Sequence, residues 1–284
     1  MQYPDINTKN LSSQPIGVFD SGLGGLTVVH ALNQAMPGED IIYLGDSARV
    51  PYGIKSLKTI RRFAMEDASF LTRFKPKLIV VACNTASAAA IDPLRQKCDV
   101  DVVDVISPGA QMATQATTGA IGVIATEATI DSGAYQQAIA KIDPARQVLA
   151  VACPLLVPIV EEGRDLDDPI VLHVLCDYLR DLQRLRPGAL ILGCTHYPLL
   201  SSAIAKLMGP EVALVNSGEA AALEVQRLLC SNELTNPAKA GGTLRCYTTD
   251  KPKRFERLGL RFGGREIGDV RFVATDELEV RKES

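Results

Sequence analysis

The stretch LIVVACNT, residues 78–85, indicates the fold class of this chain. Its apolar part, Leu78 to Ala82, has the length and the Val and Ile content of a fully buried strand, and it stops at Cys83. Comparable runs recur at 16–19, 41–44, 102–106, 121–125, 148–152 and 190–193. Stretches with a helical pattern, such as 56–74 and 170–184, separate most of these runs. The alternation predicts an α/β fold in which mainly parallel sheets are covered by helices on both faces.

The chain also carries a weak internal repeat. IGVFD (16–20) resembles IGVIA (121–125), and LIVVAC (78–83) resembles LILGC (190–194), although buried strands draw on few residue types and partly resemble one another by chance. In both halves a thiol at the end of a strand is followed by two polar side chains, in CNT (83–85) and in CTH (194–196). We therefore predict two similar α/β domains related by pseudo-two-fold symmetry. Open α/β sheets bind ligands beyond the carboxyl ends of their strands, so the active site is expected in the cleft between the domains.

Domain boundaries are predicted where turn-forming residues follow strands. The first lies near SPG (107–109), which is interpreted as the exit from a strand, and the second lies near NSG (216–218). The segment after Glu219 is too small to stand alone, so we expect it to return to the first domain. The prediction is a flexible tail over 1–15, a discontinuous first domain over 16–107 plus 218–284, and a second domain over 108–217.

Composition argues against several classes of protein. The 284 residues carry 30 basic and 33 acidic side chains, a net charge of −3, and the basic ones are scattered, so nucleic acid is not expected as a main partner. The polar start of the chain lacks the pattern of a secretory signal. The most apolar run, 148–160, is interrupted by prolines and is too short to span a bilayer. We expect no membrane segment and a cytoplasmic location.

Seven cysteines, an odd number without a C-x-x-C pair, favour a reducing compartment, and the three histidines lack the spacing of a metal site, so no metal is expected. Five of the cysteines are expected to be inert, namely Cys98, Cys153, Cys176, Cys230 and Cys246. Cys83 and Cys194 differ because polar neighbours follow them at strand ends. One thiolate can remove a proton from a carbon centre while a second, protonated thiol returns one to the opposite face. The pair therefore predicts proton transfer at carbon.

The loop after Asp20, SGLGG (21–25), can direct backbone N–H groups at an anion such as a carboxylate, or it can be an ordinary glycine-rich turn. A dinucleotide fingerprint starting at Gly22 would need glycine where Thr27 stands. We therefore expect no nucleotide cofactor here.

Two further groups of polar residues are candidates. In YLGDSARVPYG (43–53) the hydroxyl of Tyr52 and the N–H of Gly53 are candidate donors to a substrate carboxylate; the alternative is a surface turn with a salt bridge. His196 is placed to exchange protons with Cys194, and Glu161 to polarise its imidazole. The alternative for His196 is a purely structural role.

Four segments in register, IGVFDSGLGGLTV (16–28), YLGDSARVPYG (43–53), VACNTAS (81–87) and LGCTHYPLL (192–200), resemble the glutamate racemase family of the aspartate/glutamate racemase superfamily. The resemblance implies an isomerase without pyridoxal phosphate or any other cofactor. Such an enzyme interconverts L- and D-glutamate and supplies D-glutamate for peptidoglycan, hence for cell wall biogenesis and cell shape. It also implies a homodimer and a cell-wall precursor as activator.

The resemblance assigns roles residue by residue. Cys83 and Cys194 are the acid and base thiols, with Cys83 deprotonating D-glutamate and Cys194 deprotonating L-glutamate. Asp20 assists Cys83, and Glu161 with His196 assists Cys194. The positions that hold the amino acid are Asp20, Ser21, Tyr52, Gly53, Asn84, Thr85, Thr195 and His196.

Three alternatives stay open at this point. One is a racemase acting on aspartate or another amino acid, and one is a two-lobed protein that binds an amino acid without reacting. The third is a thiol redox protein, in which the two strand-end cysteines would meet as a disulfide.

Overall fold

The computed structural model describes residues 11–264 and 267–278. It contains two sheets, and every strand pair in them is parallel. The first sheet has six strands: β1 (Ile16–Asp20), β2 (Ile41–Gly45), β3 (Leu78–Val81), β4 (Asp101–Asp104), β9 (Leu244–Thr248) and β10 (Val270–Phe272). The second has four: β5 (Ile121–Ala125), β6 (Val148–Ala152), β7 (Ala189–Gly193) and β8 (Ala213–Asn216).

The two sheets share one strand order. The first runs β10-β9-β2-β1-β3-β4 and the second β6-β5-β7-β8, so β1 corresponds to β5 and β3 to β7. These are the strands that carry the repeated segments, and the prediction of a two-part α/β fold with parallel sheets is confirmed. Strands β1, β2, β3, β5 and β7 are buried along their whole length, which explains their continuous apolar sequences.

Helices connect the strands. They are α1 (Leu26–Ala35), α2 (Leu57–Thr72), α3 (Asn84–Lys97), α4 (Ile106–Ala116), α5 (Glu127–Asp131), α6 (Ala134–Ile142), α7 (Leu156–Glu162), α8 (Pro169–Leu185), α9 (Ser201–Met208), α10 (Ser217–Ser231) and α11 (Pro252–Gly263). Short 3₁₀ helices span Tyr52–Ile54, Tyr197–Leu200 and Thr275–Leu278. Among the described residues, no helix is long and apolar enough to cross a bilayer.

One predicted strand end was wrong. The strand expected over 102–106 ends at Asp104, because that carboxylate accepts the N–H groups of Ile106 and Ser107 at 2.7 Å each and so starts α4. The segment 107–109, interpreted from sequence as a strand exit, lies in the first turn of this helix.

Strand β9 pairs with β2, and β10 extends the six-stranded sheet beyond β9. Both strands come much later in the sequence than β1 to β4, which form the rest of this sheet. On this basis we propose domains over 16–107 plus 218–284 and over 108–217. Of the expected tail, residues 1–10 lie outside the described residues. Residues 11–15 contact the first sheet region, where Lys77 donates from Nζ to the carbonyl of Ser12 (2.7 Å) and from its backbone N–H to that of Pro15 (3.0 Å).

Candidate active site

Cys83 follows β3 and begins α3. Its sulfur accepts the N–H of Ala86 at 3.4 Å and lies 3.6 Å from the hydroxyl oxygen of Ser21. The residue is 5% exposed. Burial, together with the nearby carboxylate of Asp20, raises the pKa of Cys83 to about 12. At neutral pH this thiol therefore carries its proton.

Cys194 follows β7, the strand equivalent to β3, and has a different neighbour. Its sulfur lies 3.9 Å from Nδ1 of His196, whose Nε2 lies 3.2 Å from a carboxylate oxygen of Glu161. Burial disfavours the charged ring, but the contacts with Cys194 and Glu161 outweigh it and raise the pKa of His196 to about 10. The ring is therefore an imidazolium at neutral pH, and its positive charge stabilises negative charge on the sulfur.

The loop that follows β1 lies between the ends of β3 and β7. Asp20 is fully buried, and its Oδ2 accepts the N–H of Gly22 at 3.0 Å. Burial raises the pKa of Asp20, while the charge of His196 lowers it. After the loop, in the first turn of α1, the hydroxyl of Thr27 donates to the carbonyl of Thr195 at 3.0 Å. Asp20 therefore lies between the Cys83 side and the His196 side, close enough to affect both electrostatically.

Gly24 packs closely against Thr195 and His196, which follow β7 of the second sheet. A Cβ atom there would lie 2.1 Å from Oγ1 of Thr195 and 2.6 Å from Nδ1 of His196. Both distances are far inside van der Waals contact, so only glycine fits unless these two side chains move.

We expect Gly24→Ala to lower kcat/KM about 100-fold, because displacing Thr195 and His196 by about an ångström misplaces the reacting groups. Steady-state assays of the activity that the sequence resemblance implies check this, with circular dichroism to verify the fold. Gly268→Ala is the control, since none of the described residues lies within 4 Å of a Cβ at that position. Wild-type activity in Gly24→Ala would show that the loop can move without cost.

Asn84 offers a donor to the cleft. Its Oδ1 accepts the hydroxyls of Tyr135 (2.6 Å) and Ser217 (3.3 Å), which fixes the orientation of the amide. Its Nδ2 is buried and has no hydrogen-bond partner among the described residues. Because a buried unpaired donor costs free energy, this one is suited to a ligand's acceptor atom.

Three threonine hydroxyls from the two halves of the chain meet nearby. Thr85 lies 2.9 Å from Thr126 and 3.2 Å from Thr129, oxygen to oxygen. Gly53 packs against Thr126, and a Cβ on it would lie 2.8 Å from that side chain. The predicted site residues Gly53 and Thr85, both from the first domain, thus contact the same residue of the second, Thr126.

The expectation for the Tyr52 hydroxyl was wrong. The side chain is buried, its hydroxyl contacts the carboxylates of Asp46 and Asp67, and both acids also pair with Arg49. The single hydrogen of the hydroxyl is donated within this cluster and is not available to a substrate. What the Tyr52–Gly53 segment can offer is its backbone N–H groups. The salt bridge of the alternative interpretation is present, but it is buried instead of lying on a surface turn.

Sequence reasoning missed four residues at the site. Tyr135 and Ser217 orient Asn84, Thr126 contacts Gly53, and Arg254 lies 3.4 Å from Glu161. None of them belongs to a recognisable motif. The predicted link between Glu161 and His196 is present as a direct contact.

Two strand-end thiols, one beside a carboxylate and one beside an imidazolium, lie buried between two parallel sheets, an arrangement suited to the acid–base chemistry of an isomerase. The chain belongs to the Asp/Glu/Hydantoin racemase family, which its residues 16–225 match. The resemblance drawn from the four sequence segments is thereby confirmed.

Individual relatives are similar over nearly the whole chain. A glutamate racemase of Geobacter metallireducens is 48% identical over 270 residues, covering 94% of this chain and 98% of the relative. The crystal structure of Francisella tularensis glutamate racemase in complex with D-glutamate is similar with a TM-score of 0.87 and 41% identity, covering 93% of this chain and 99% of that one. The Escherichia coli glutamate racemase structure, in complex with L-glutamate and the activator UDP-MurNAc-ala, gives a TM-score of 0.74 and 28% identity, covering 92% of this chain and 98% of that one.

Proposed function

We propose that this protein interconverts L- and D-glutamate by moving the α-proton between the substrate and two thiols, Cys83 and Cys194. The observation that carries the proposal is the equivalent placement of the two cysteines after β3 and β7, with the loop from Asp20 to Gly25 between them. The glutamate racemases of high identity and coverage support glutamate as the substrate.

In the L-to-D direction, Cys194 is the base and Cys83 the acid. The imidazolium of His196, 3.9 Å from the sulfur of Cys194, stabilises the negative charge that this sulfur carries as a base, while the raised pKa of Cys83 keeps its proton ready for the opposite face of the carbon. In the reverse direction the roles exchange. No atom is gained or lost overall, since one proton leaves the α-carbon and another returns.

General acid–base catalysis contributes only about 10²- to 10⁴-fold, so the site must also stabilise the carbanionic character at the α-carbon. The proposed donors to the substrate are Ser21, Asn84, Thr85, Thr195 and the backbone N–H groups of Tyr52 and Gly53. Cys83 and Cys194 are 5% and 7% exposed, so glutamate reaches them only when the cleft opens. Closure then excludes water and strengthens every electrostatic interaction in the site.

Two of the alternatives are less well supported. Cys83 and Cys194 are not joined by a disulfide, which does not favour the redox protein. Binding without reaction does not require a thiol at each of two equivalent strand ends. Discrimination against aspartate is a matter of pocket length, and we assign it to the Tyr52–Gly53 segment.

The remaining proposals follow from the family. The enzyme supplies D-glutamate for peptidoglycan, acts in the cytoplasm and forms a homodimer, and a cell-wall precursor activates it. The activator in the Escherichia coli structure supports the last point. Sedimentation velocity and assays with and without UDP-MurNAc-ala test the last two.

The experiment that tests the function is incubation of purified protein with L-glutamate in D₂O, with EDTA present and pyridoxal phosphate absent. We expect the optical rotation to fall to zero and deuterium to enter the α-position of the D-glutamate formed. Aspartate, run in parallel, should turn over far more slowly. Optical rotation that stays constant would contradict the proposal.

The same assay, run from each enantiomer, examines the asymmetry of the two thiols. Since the enantiomers have equal free energies, kcat/KM must be equal in both directions at every pH. We expect kcat to differ between the two directions, with KM differing by the same factor, because burial and Asp20 raise the pKa of Cys83 to about 12 whereas Cys194 has an imidazolium beside it. Superimposable profiles of kcat against pH would count against it.

A further inference from the structure

Helix α11 contacts the Cys194 side of the site at three places, although it belongs to the first sheet's part of the chain. Nη2 of Arg254 lies 3.4 Å from Oε2 of Glu161, and the ring of Phe262 meets that of His196 edge-on at 5.3 Å between centroids. In the last turn of α11, Arg261 donates to the carbonyl of Arg164 at 3.0 Å. The segment 161–164 is thus held by two arginines from across the cleft.

The two oxygens of the Glu161 carboxylate have separate partners. Oε1 faces Nε2 of His196 at 3.2 Å and Oε2 faces Arg254. Glu161 lies at the rim of the cleft, where it lines a cavity of about 40 Å³ with Gly22 and Arg254, and its side chain is 20% exposed. Because the carboxylate of Glu161 is in contact with water, it can rotate away from His196. The ion pair with Arg254 opposes this rotation.

We propose that Arg254 is a positioning residue for the racemisation reaction: it holds the carboxylate of Glu161 against His196 and so keeps the imidazolium beside Cys194. It touches neither the substrate nor the reacting thiol. Only the kinetic part of this inference rests on the proposed function. The contact between Glu161 and His196 can be measured without substrate.

The charged groups around this contact come from several elements. Asp20 and Cys194 face His196 together with Glu161, and Asp250 and Lys251 line the same cavity as Arg254. Among the described residues, Glu161 forms ion pairs with two side chains, His196 and Arg254. Removing the side chain of Arg254 therefore takes one partner from the Glu161 carboxylate and leaves the other charged groups in place.

The test compares Arg254→Gln with Arg257→Gln, which removes the same charge from the same helix. Arg257 is exposed and forms no ion pair in the part of the chain that the structure describes. In substrate-free protein, NMR titration of the His196 ring, assigned with His196→Gln, should show its pKa falling toward the ordinary value in Arg254→Gln, because Glu161 turns to water more often. In kinetics, kcat should fall about two- to fivefold, the range of a partly exposed ion pair, and Arg254→Lys should recover most of the loss.

The outcomes are separable. A His196 titration that is unchanged or moves upward in Arg254→Gln overturns the proposal, as does a kcat equal to that of Arg257→Gln. A shifted titration in a protein that does not racemise glutamate would support the contact and refute the proposed function instead.

Discussion

Replacing either Cys83 or Cys194 with serine will lower kcat for glutamate racemisation by up to about 10⁴-fold. In the proposed mechanism each turnover uses one thiol as base and the other as acid, so the loss of either one breaks the cycle in both directions, and an acid–base group contributes up to about 10⁴-fold. Serine nearly conserves the volume, but its hydroxyl is a far weaker acid than a thiol. Loss of optical rotation measures the effect.

The matched control for these variants is Cys153→Ser. Cys153 is also a buried thiol close to the second sheet, but the hydrogen-bond partner of its sulfur among the described residues is the carbonyl of Val151, and we assign it no part in the reaction. It should keep most of its activity. In D₂O, Cys83→Ser should still exchange the α-hydrogen of L-glutamate without inverting it, and Cys194→Ser that of D-glutamate. Full racemisation by either single variant would refute the two-thiol mechanism.

Asn84→Asp will lower kcat/KM about 100- to 1000-fold, with much of the loss in KM. The change replaces the unpaired Nδ2 donor with a second carboxylate oxygen while Oδ1 keeps its hydrogen bonds from Tyr135 and Ser217. A hydrogen bond to a charged group contributes roughly 1.5–3 kcal/mol, and repulsion between two carboxylates adds to its loss. Initial rates over a range of glutamate concentrations measure the effect.

Asn232→Asp is the comparison for this charge change, since that side chain is exposed at the end of α10. Its kinetic constants should equal those of the unaltered protein. An unchanged KM in Asn84→Asp would mean that Asn84 does not meet the substrate carboxylate.

The positions of the two thiols could be predicted from sequence because one physical rule fixes them. A buried parallel strand shows as a short apolar run, and the residue after it must emerge at the ligand-binding edge of the sheet. Cys83 and Cys194 follow such runs. The helical patterns over 56–74 and 170–184 predicted α2 and α8 closely, and the structure shows Ser56 and Asp168 capping the first turns of these helices.

The supporting residues could not be predicted because their partners are distant in sequence. Asn84 meets Tyr135 and Ser217 over separations of 51 and 133 residues, and Arg254 meets Glu161 over 93. No local pattern marks such contacts, which arise only when the two sheets are assembled.

Tyr52 was misjudged for a related reason. The segment 43–53 shows an arginine, an acid and a phenol, which fits either a surface salt bridge or a substrate-binding donor. The residue that decides between them is Asp67, which reaches the cluster from α2 and takes part in binding both Arg49 and the hydroxyl of Tyr52. The sequence of the segment 43–53 does not indicate that Asp67 takes part in this cluster.

The burial of the two strand-end thiols also bears on how the protein withstands chemical damage. Oxidants and alkylating reagents attack exposed thiolates first. Cys176 and Cys230 lie on the surface, whereas Cys83 and Cys194 are enclosed by the cleft. In the proposed mechanism turnover requires two reduced sulfurs, and their burial keeps both out of reach of peroxide until the cleft opens. We therefore expect the two surface cysteines to be modified before the site is.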